Sequence, residues 1–311
     1  MKTEEKLAEL NELCRAAKAG SSNLDLAALR KALGDRSNLV AARAAEICAS
    51  LRCHDAIPDL QANFERFKTK NPEKTDKGCW AKTALIKALY ELDCLNAAFY
   101  RANLSYQQME PVWGTTEDTA MDIRSTSAFG LAASNDPRSL IDLVPLLHDP
   151  LPSVRIAAIQ AIGTLHSLGV EAVLRQKAVA GDSTPQVLDE CFRTLIQIEP
   201  DESIRFVAGF LRSSGAVEVR EFAAFALGES RQQAALDVLL AEFHALLPRV
   251  SREVLIRAIG LARIEPAIEF LLSTLANSRG AERAFSRDAL AAYEHVPAIA
   301  ERMARIERGS L

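Results

Sequence analysis

Cys53, His54 and Asp55 are consecutive, and each is of a type that binds metals or moves protons. A soft thiolate, an imidazole and a carboxylate together make a metal-capable triplet. Adjacent side chains on a helix point in different directions, however, so the three read as a turn that opens a helix and not as a ligand set. The other histidines, His148, His166, His244 and His295, are scattered, and none has a ligand-type partner four residues away. No GxSxG, HExxH, Walker loop or GxGxxG occurs, and no carboxylate spacing singles out a general acid and base. The six cysteines match no paired CxxC framework, and four of them sit in apolar helical patterns where a free thiol behaves as a small hydrophobe. The sequence therefore predicts no catalytic residue, no metal, no cofactor and a chain that is not an enzyme. A site assembled from distant turns would leave no such local mark.

Residues suited to binding are concentrated instead of scattered. Both tryptophans, Trp80 and Trp113, and three of the four tyrosines, Tyr90, Tyr100 and Tyr106, fall in one stretch. These side chains bring large rigid area with a polar handle, which is why they dominate interface hot spots. The segment from Arg66 to Lys87 holds seven Lys/Arg and two acids, with Lys74 and Lys77 near its centre, whereas Asn103 to Asp118 is acidic and apolar. Two readings follow: Trp80, Tyr106, Trp113, Lys74 and Lys77 form a partner-contacting patch, or the two segments pair basic to acidic while Trp113 folds back on the body of the protein. A second candidate is a stripe of Lys87, Arg193, Arg257 and Arg287, expected to line a concave face. Glu190, Glu221, Glu253 and Asp288 accompany them, which favours a mixed-charge solvated face over a groove that tracks phosphates.

The elements that would position these residues are helices. Of 311 residues, 49% are hydrophobic and only 14 are Gly and 12 Pro, so the chain can bury a core and carries few helix breakers. Self-similarity organises it. The sequence Val154-Arg155-Ile-Ala-Ala-Ile-Gln-Ala-Ile-Gly163 recurs at Val219 to Gly228, Ser251 to Gly260 and Glu282 to Ala291, with weaker copies ending at Cys48, Tyr90, Gly130 and Gln197. Successive endings lie 42, 40, 33, 34, 31, 32 and 31 residues apart. Each unit carries two stretches with apolar residues at i, i+3, i+4 and i+7, the mark of an amphipathic helix. Eight such pairs predict an all-α solenoid, because a lone pair cannot bury both faces. Between the two helices of the fourth unit, Asp149 and Pro150 stop one helix and Ser153 is placed to cap the next. The expected organisation is one solenoid over 1–311, with a cap helix at 1–22, repeats over 23–295, long interhelical loops at 69–78 and 103–119, and a second cap at 296–311. Insertions in adjacent repeats land on one rim, often the binding side.

This pattern resembles the HEAT-repeat family, and its short period is similar to the bacterial subclass of phycobiliprotein-lyase HEAT-like repeats, over about Leu24 to His295. The resemblance implies a structural ladder of a turn Asp and an Arg six residues later, which Asp149 and Arg155 fit; Arg220, Arg252 and Arg283 have Ser214, Leu246 and Asn277 at that offset. It also implies a scaffold that binds another protein. Two alternatives attach to related solenoids: nucleic-acid binding similar to that of alkyl-purine DNA glycosylases, and a lyase or chaperone-like factor for a bilin. With 37 Lys+Arg against 41 Asp+Glu the net charge of −4 disfavours nucleic acid and an anionic membrane. Met1 to Gly20 has no continuous apolar region of a secretory signal, and no segment reaches a membrane span, so a cytoplasmic chain with reduced thiols is expected. Caps at both ends suggest a monomer.

Overall fold

Apolar residues at helical spacing, interrupted by short polar turns, produce nineteen α-helices among the described residues of the computed structural model, which are 2–19, 25–69 and 71–308. They group into two units, residues 1–167 and 168–311. The first unit opens with α1 (Thr3–Lys18), α2 (Leu26–Leu33) and α3 (Asn38–Ser50). Next come α4 (Ile57–Lys68), the single turn α5 (Pro72–Thr75) and α6 (Trp80–Glu91). After α7 (Ala97–Arg101), strands β1 (Met109–Val112) and β2 (Thr115–Asp118) lead into α8 (Met121–Ala133), and α9 (Ser139–Leu143) precedes α10 (Pro152–Gly163). The second helices α3, α6, α8 and α10 stack in that order, each packed on the helix before it in its own repeat, and α1 lies against α3.

The second unit repeats the plan: α11 (Val170–Ala180) with α12 (Pro185–Ile198), α13 (Pro200–Leu211) with α14 (Val217–Glu229), α15 (Gln233–Phe243) with α16 (Arg252–Ala262), and α17 (Glu265–Asn277) with α18 (Ala281–Leu290). Helices α12, α14, α16 and α18 stack in order, and α19 (Pro297–Glu307) rests on α17. The eight helix pairs read from the sequence are therefore present. Of the two expected caps, residues 1 and 20–22 of the first and 309–311 of the second lie outside the described residues.

Cores form between the two rows of each unit. Leu29, Ile47, Phe64 and Leu85 in the first, and Leu195, Leu227 and Ile259 in the second, are at most 1% exposed. Each such side chain contributes about 1.5–3 kcal/mol of transfer free energy. Small residues at the repeat endings allow close helix contacts: a Cβ on Gly228 would fall on the Ala258 carbonyl of the next second helix, and one on Gly130 would collide with the Tyr100 ring of the first helix of its own repeat. Five of the eight second helices also end alike. Arg52, Asp93, Asn135, Arg231 and Arg263 all take left-handed backbone, with φ between 51 and 55°. At the first two, the amide of the following cysteine closes the turn, Cys53 N–H to Cys48 O at 2.9 Å and Cys94 N–H to Leu89 O at 3.0 Å, as in a Schellman cap.

Two local expectations differ from the structure. The segments at 69–78 and 103–119 are not plain loops: the first contains α5 and a 3-10 turn over Lys77–Cys79, the second an antiparallel hairpin with Glu110 opposite Glu117 and Val112 opposite Thr115. Ser153 does not cap α10; Leu151 occupies the N-cap, and Asp149 accepts its N–H at 2.9 Å.

Candidate functional site

The two inserted segments of the first unit are built around a buried polar network. Asp76, fully buried, accepts the Ala81 and Lys82 amides at 2.8 and 3.0 Å, capping α6, and pairs with the buried Lys82 Nζ at 3.0 Å. Asn38 reaches the same carboxylate at 3.1 Å. Glu110 on β1 turns inward and accepts from Gly78 N–H at 2.7 Å, Gln108 Nε2 at 2.6 Å and Thr119 Oγ1 at 3.0 Å. Gln108 Nε2 also donates to Asp76 O at 2.9 Å, so the hairpin is tied to the segment before α6. An isolated two-stranded hairpin is marginal in water; these buried bonds hold it.

The ladder runs through Arg124. Its guanidinium, 1% exposed, binds Asp118 at 2.6 Å and grips Asp149 with two bonds of 2.8 and 3.1 Å. The Asp149 carboxylate is thus taken by the arginine of the preceding repeat, while Arg155 donates to the carbonyls of Asp149 and Pro150 at 2.7 and 3.1 Å. A fork of two parallel N–H groups matches a carboxylate, and Arg124 presents that fork to Asp149 across the repeat boundary. Asp76 and Lys82, Asp118 and Arg124, and Asp149 and Arg155 share one offset of six residues. The sequence reading used only the third; the same offset carried the signal for the first two.

Above this network the aromatic residues divide. Tyr106 belongs to it: half-buried, its hydroxyl donates to Gln108 Oε1 at 3.0 Å, and Lys68 and Lys82 stand 5.5 and 5.9 Å from its ring centre. Burial raises its hydroxyl pKa well above the ordinary range. Trp113, at the hairpin tip beside Gly114 (φ 77°), is fully exposed and does not fold back. Trp80 is 62% exposed at the start of α6, its indole set over Gly78, where a Cβ would collide with it. Lys74 and Lys77 are exposed on the same segment. Beside Trp80 runs an open groove of about 610 Å³. Its floor is one stripe of α6, Trp80, Thr83, Ala84, Lys87, Ala88 and Glu91; α3, α8 and β2 supply the walls. The small floor residues make the groove, since longer side chains there would fill it.

The remaining candidates are distributed. Cys53, His54 and Asp55 form the turn into α4, with Cys53 buried and the other two exposed, and no metal-binding cluster occurs among the described residues. Cys53 is buried because its helix cap turns it toward Cys48, whose thiol burial pushes up to about 12. In the charged stripe, Lys87 pairs with Asp122 at 2.6 Å, Arg193 with Asp189 at 3.0 Å and with Glu229, Arg257 with Glu253 at 2.8 Å, and Arg287 with Glu307 at 2.9 Å. All four are therefore matched by carboxylates.

Comparison with known proteins bears on the fold. Residues 142–168 match the HEAT repeat and residues 219–242 the PBS lyase HEAT-like repeat. No curated protein matches the chain. Among solved structures it is similar to Escherichia coli YibA, at 16% identity over 98% of each chain and a TM-score of 0.46. It is also similar to human deoxyhypusine hydroxylase in complex with glycerol, at 15% identity over 84% of this chain and 98% of that one, with a TM-score of 0.32. A third similarity is to the CpcE and CpcF complex of a Nostoc phycocyanin lyase, at 16% identity, 93% and 94% coverage and a TM-score of 0.35. Two of these are enzymes by name, and the expectation that this chain is not an enzyme is withdrawn on that finding. The physical reason is that stacked repeats can assemble a site from separate turns, so missing linear motifs do not decide the matter. The chain carries a HEAT repeat and, further on, a PBS lyase HEAT-like repeat, within an all-α solenoid.

Proposed function

We propose that the chain is a repeat scaffold that binds a partner protein through the groove along α6 and the neighbouring hairpin rim. The observation that carries this reading is the placement of the two tryptophans. A satisfied buried network fixes a hairpin whose tip offers Trp113 to solvent, and Gly78 seats an exposed Trp80 at the mouth of a groove. Rigid aromatic anchors lose little entropy on binding and supply most of the affinity at interfaces. Tyr106 braces the platform, and Lys74 and Lys77 lie on its rim. The paired state of Lys87, Arg193, Arg257 and Arg287 supports a role in surface ion pairs over one in gripping phosphates.

The compartment and assembly readings rest on smaller observations. All six cysteines are buried free thiols, which supports a reducing, cytoplasmic setting, and no helix among the described residues is long and apolar enough to cross a membrane. Helices α1 and α19, laid on α3 and α17, support a monomer. Capture from nuclease-treated native lysate tests the main reading. A protein retained by the wild type and lost from a Trp80→Ala, Trp113→Ala variant of unchanged helicity is the expected result. Retention by both would place the interaction elsewhere.

A further inference from the structure

We infer that the groove along α6 accepts an extended basic segment of the partner, with two cationic side chains seated at Glu117 and Glu91; this rests on the reading that the face binds protein. The lining supplies the charge. Glu46, Glu91, Glu117, Asp118 and Asp122 face it, against the single cation Lys87. Three of these carboxylates are already matched: Glu46 by Arg43 at 2.7 Å, Asp118 by Arg124 at 2.6 Å and Asp122 by Lys87 at 2.6 Å. Glu91 and Glu117 are exposed, and among the described residues their carboxylates form no ion pair, although the Arg52 guanidinium donates to the Glu91 backbone carbonyl. The groove therefore presents two carboxylates outside any ion pair, which raises the local concentration of cations and repels phosphate.

Geometry sets the spacing of the occupant. The floor runs from Trp80 to Glu91, eleven residues of helix, or about 16 Å at 1.5 Å per residue. Glu117 lines the groove with Trp80 near one end, and Glu91 closes the other. An extended chain rises roughly 3.3 Å per residue, so two cations about five residues apart reach both carboxylates. The walls add apolar contact between them, from Ala49, Met121 (43% exposed) and the floor alanines. At the Trp80 end the fixed indole presents a π-face, which attracts a guanidinium more strongly than an ammonium. A neutral or acidic segment would gain none of these terms and would bury Glu91 and Glu117 without partners.

The test is fluorescence anisotropy with the full chain and a dye-labelled, end-capped peptide in which two arginines flank four alanines. Controls replace both arginines with glutamine or with glutamate. Binding of the arginine peptide, weakened by added salt and by about tenfold or more in a Glu91→Gln, Glu117→Gln variant, is expected, with no binding of the glutamate peptide. Both positions are exposed, and helicity by circular dichroism verifies the variant. Equal affinity for the glutamine peptide, an unaffected variant, or no binding of the arginine peptide overturns the inference. The lysate partner separates this from the parent reading. If Trp80→Ala, Trp113→Ala loses that partner while Glu91→Gln, Glu117→Gln keeps it, the face binds protein and its occupant is not basic; if both variants keep it, the face itself is wrong.

Discussion

Arg124 is the residue on which the first unit's turns converge. It holds Asp118, Asp149 and the Tyr106 carbonyl (2.9 Å) while almost wholly buried. Removing one partner of a buried ion pair leaves the other charges uncompensated, so Arg124→Ala should destabilise by roughly 3–5 kcal/mol in urea unfolding. A loss below about 1 kcal/mol, the range of an exposed pair, would show that water screens this ladder. The thiols give a second measurement. Burial pushes Cys48 and Cys191 to about 12 and Cys79 to about 11, from 9.0. A thiol whose folded pKa is raised supports the fold while neutral: its contribution is complete below pH 9 and is lost as pH climbs toward 12. Native protein at pH 8 should therefore react slowly with a thiol reagent at these three positions and rapidly once unfolded. The ladder was partly legible in sequence. Asp149 and Arg155 stood inside the clearest repeat, whereas Asp76 with Lys82 and Asp118 with Arg124 were hidden behind the insertions that precede them. That Asp149 would choose Arg124 is a tertiary fact, set across a repeat boundary where no linear spacing points.

The hairpin was the element that sequence reasoning missed. Met109 to Val112 contains Pro111 and Glu110, poor strand formers, and the strands are only four residues each. What fixes them is Glu110 turned onto Gly78, visible only once the two insertions meet. The one local signal was Trp113-Gly114 between the two runs, and Gly114 does adopt the positive φ such a turn needs. The helix ends were equally hard to read, since glycine is the usual residue at a left-handed cap and this chain uses Arg, Asp and Asn. Asp93→Gly, at φ 54°, should stabilise by a few tenths to about 1 kcal/mol, seen as a higher midpoint of thermal unfolding. Gly228→Ala should do the reverse, by about 1–3 kcal/mol, because its Cβ meets backbone of the next helix and cannot be relieved by a rotamer change.

Across the full chain, helix content and the count of eight pairs were legible because periodicity is a property of sequence, and the conserved spacing of repeat endings fell within second helices or just past them. The division after residue 167 was not, since nothing in composition marks it. Four pairs exceed the roughly three needed to bury a repeat core. Residues 168–311 expressed alone should therefore remain helical and melt cooperatively by circular dichroism, and a gradual, non-cooperative loss would show that their core depends on the preceding half.

The exposed tryptophans have an optical consequence. Trp113 stands wholly in water and Trp80 largely so, and the sequence holds no third. Indole emission of the native chain should already lie close to that of the denatured one, so a denaturant titration followed at that wavelength would look nearly flat while the helices melt. The same emission becomes a selective reporter of occupancy: a blue shift on mixing would mean that something has excluded water from these two rings.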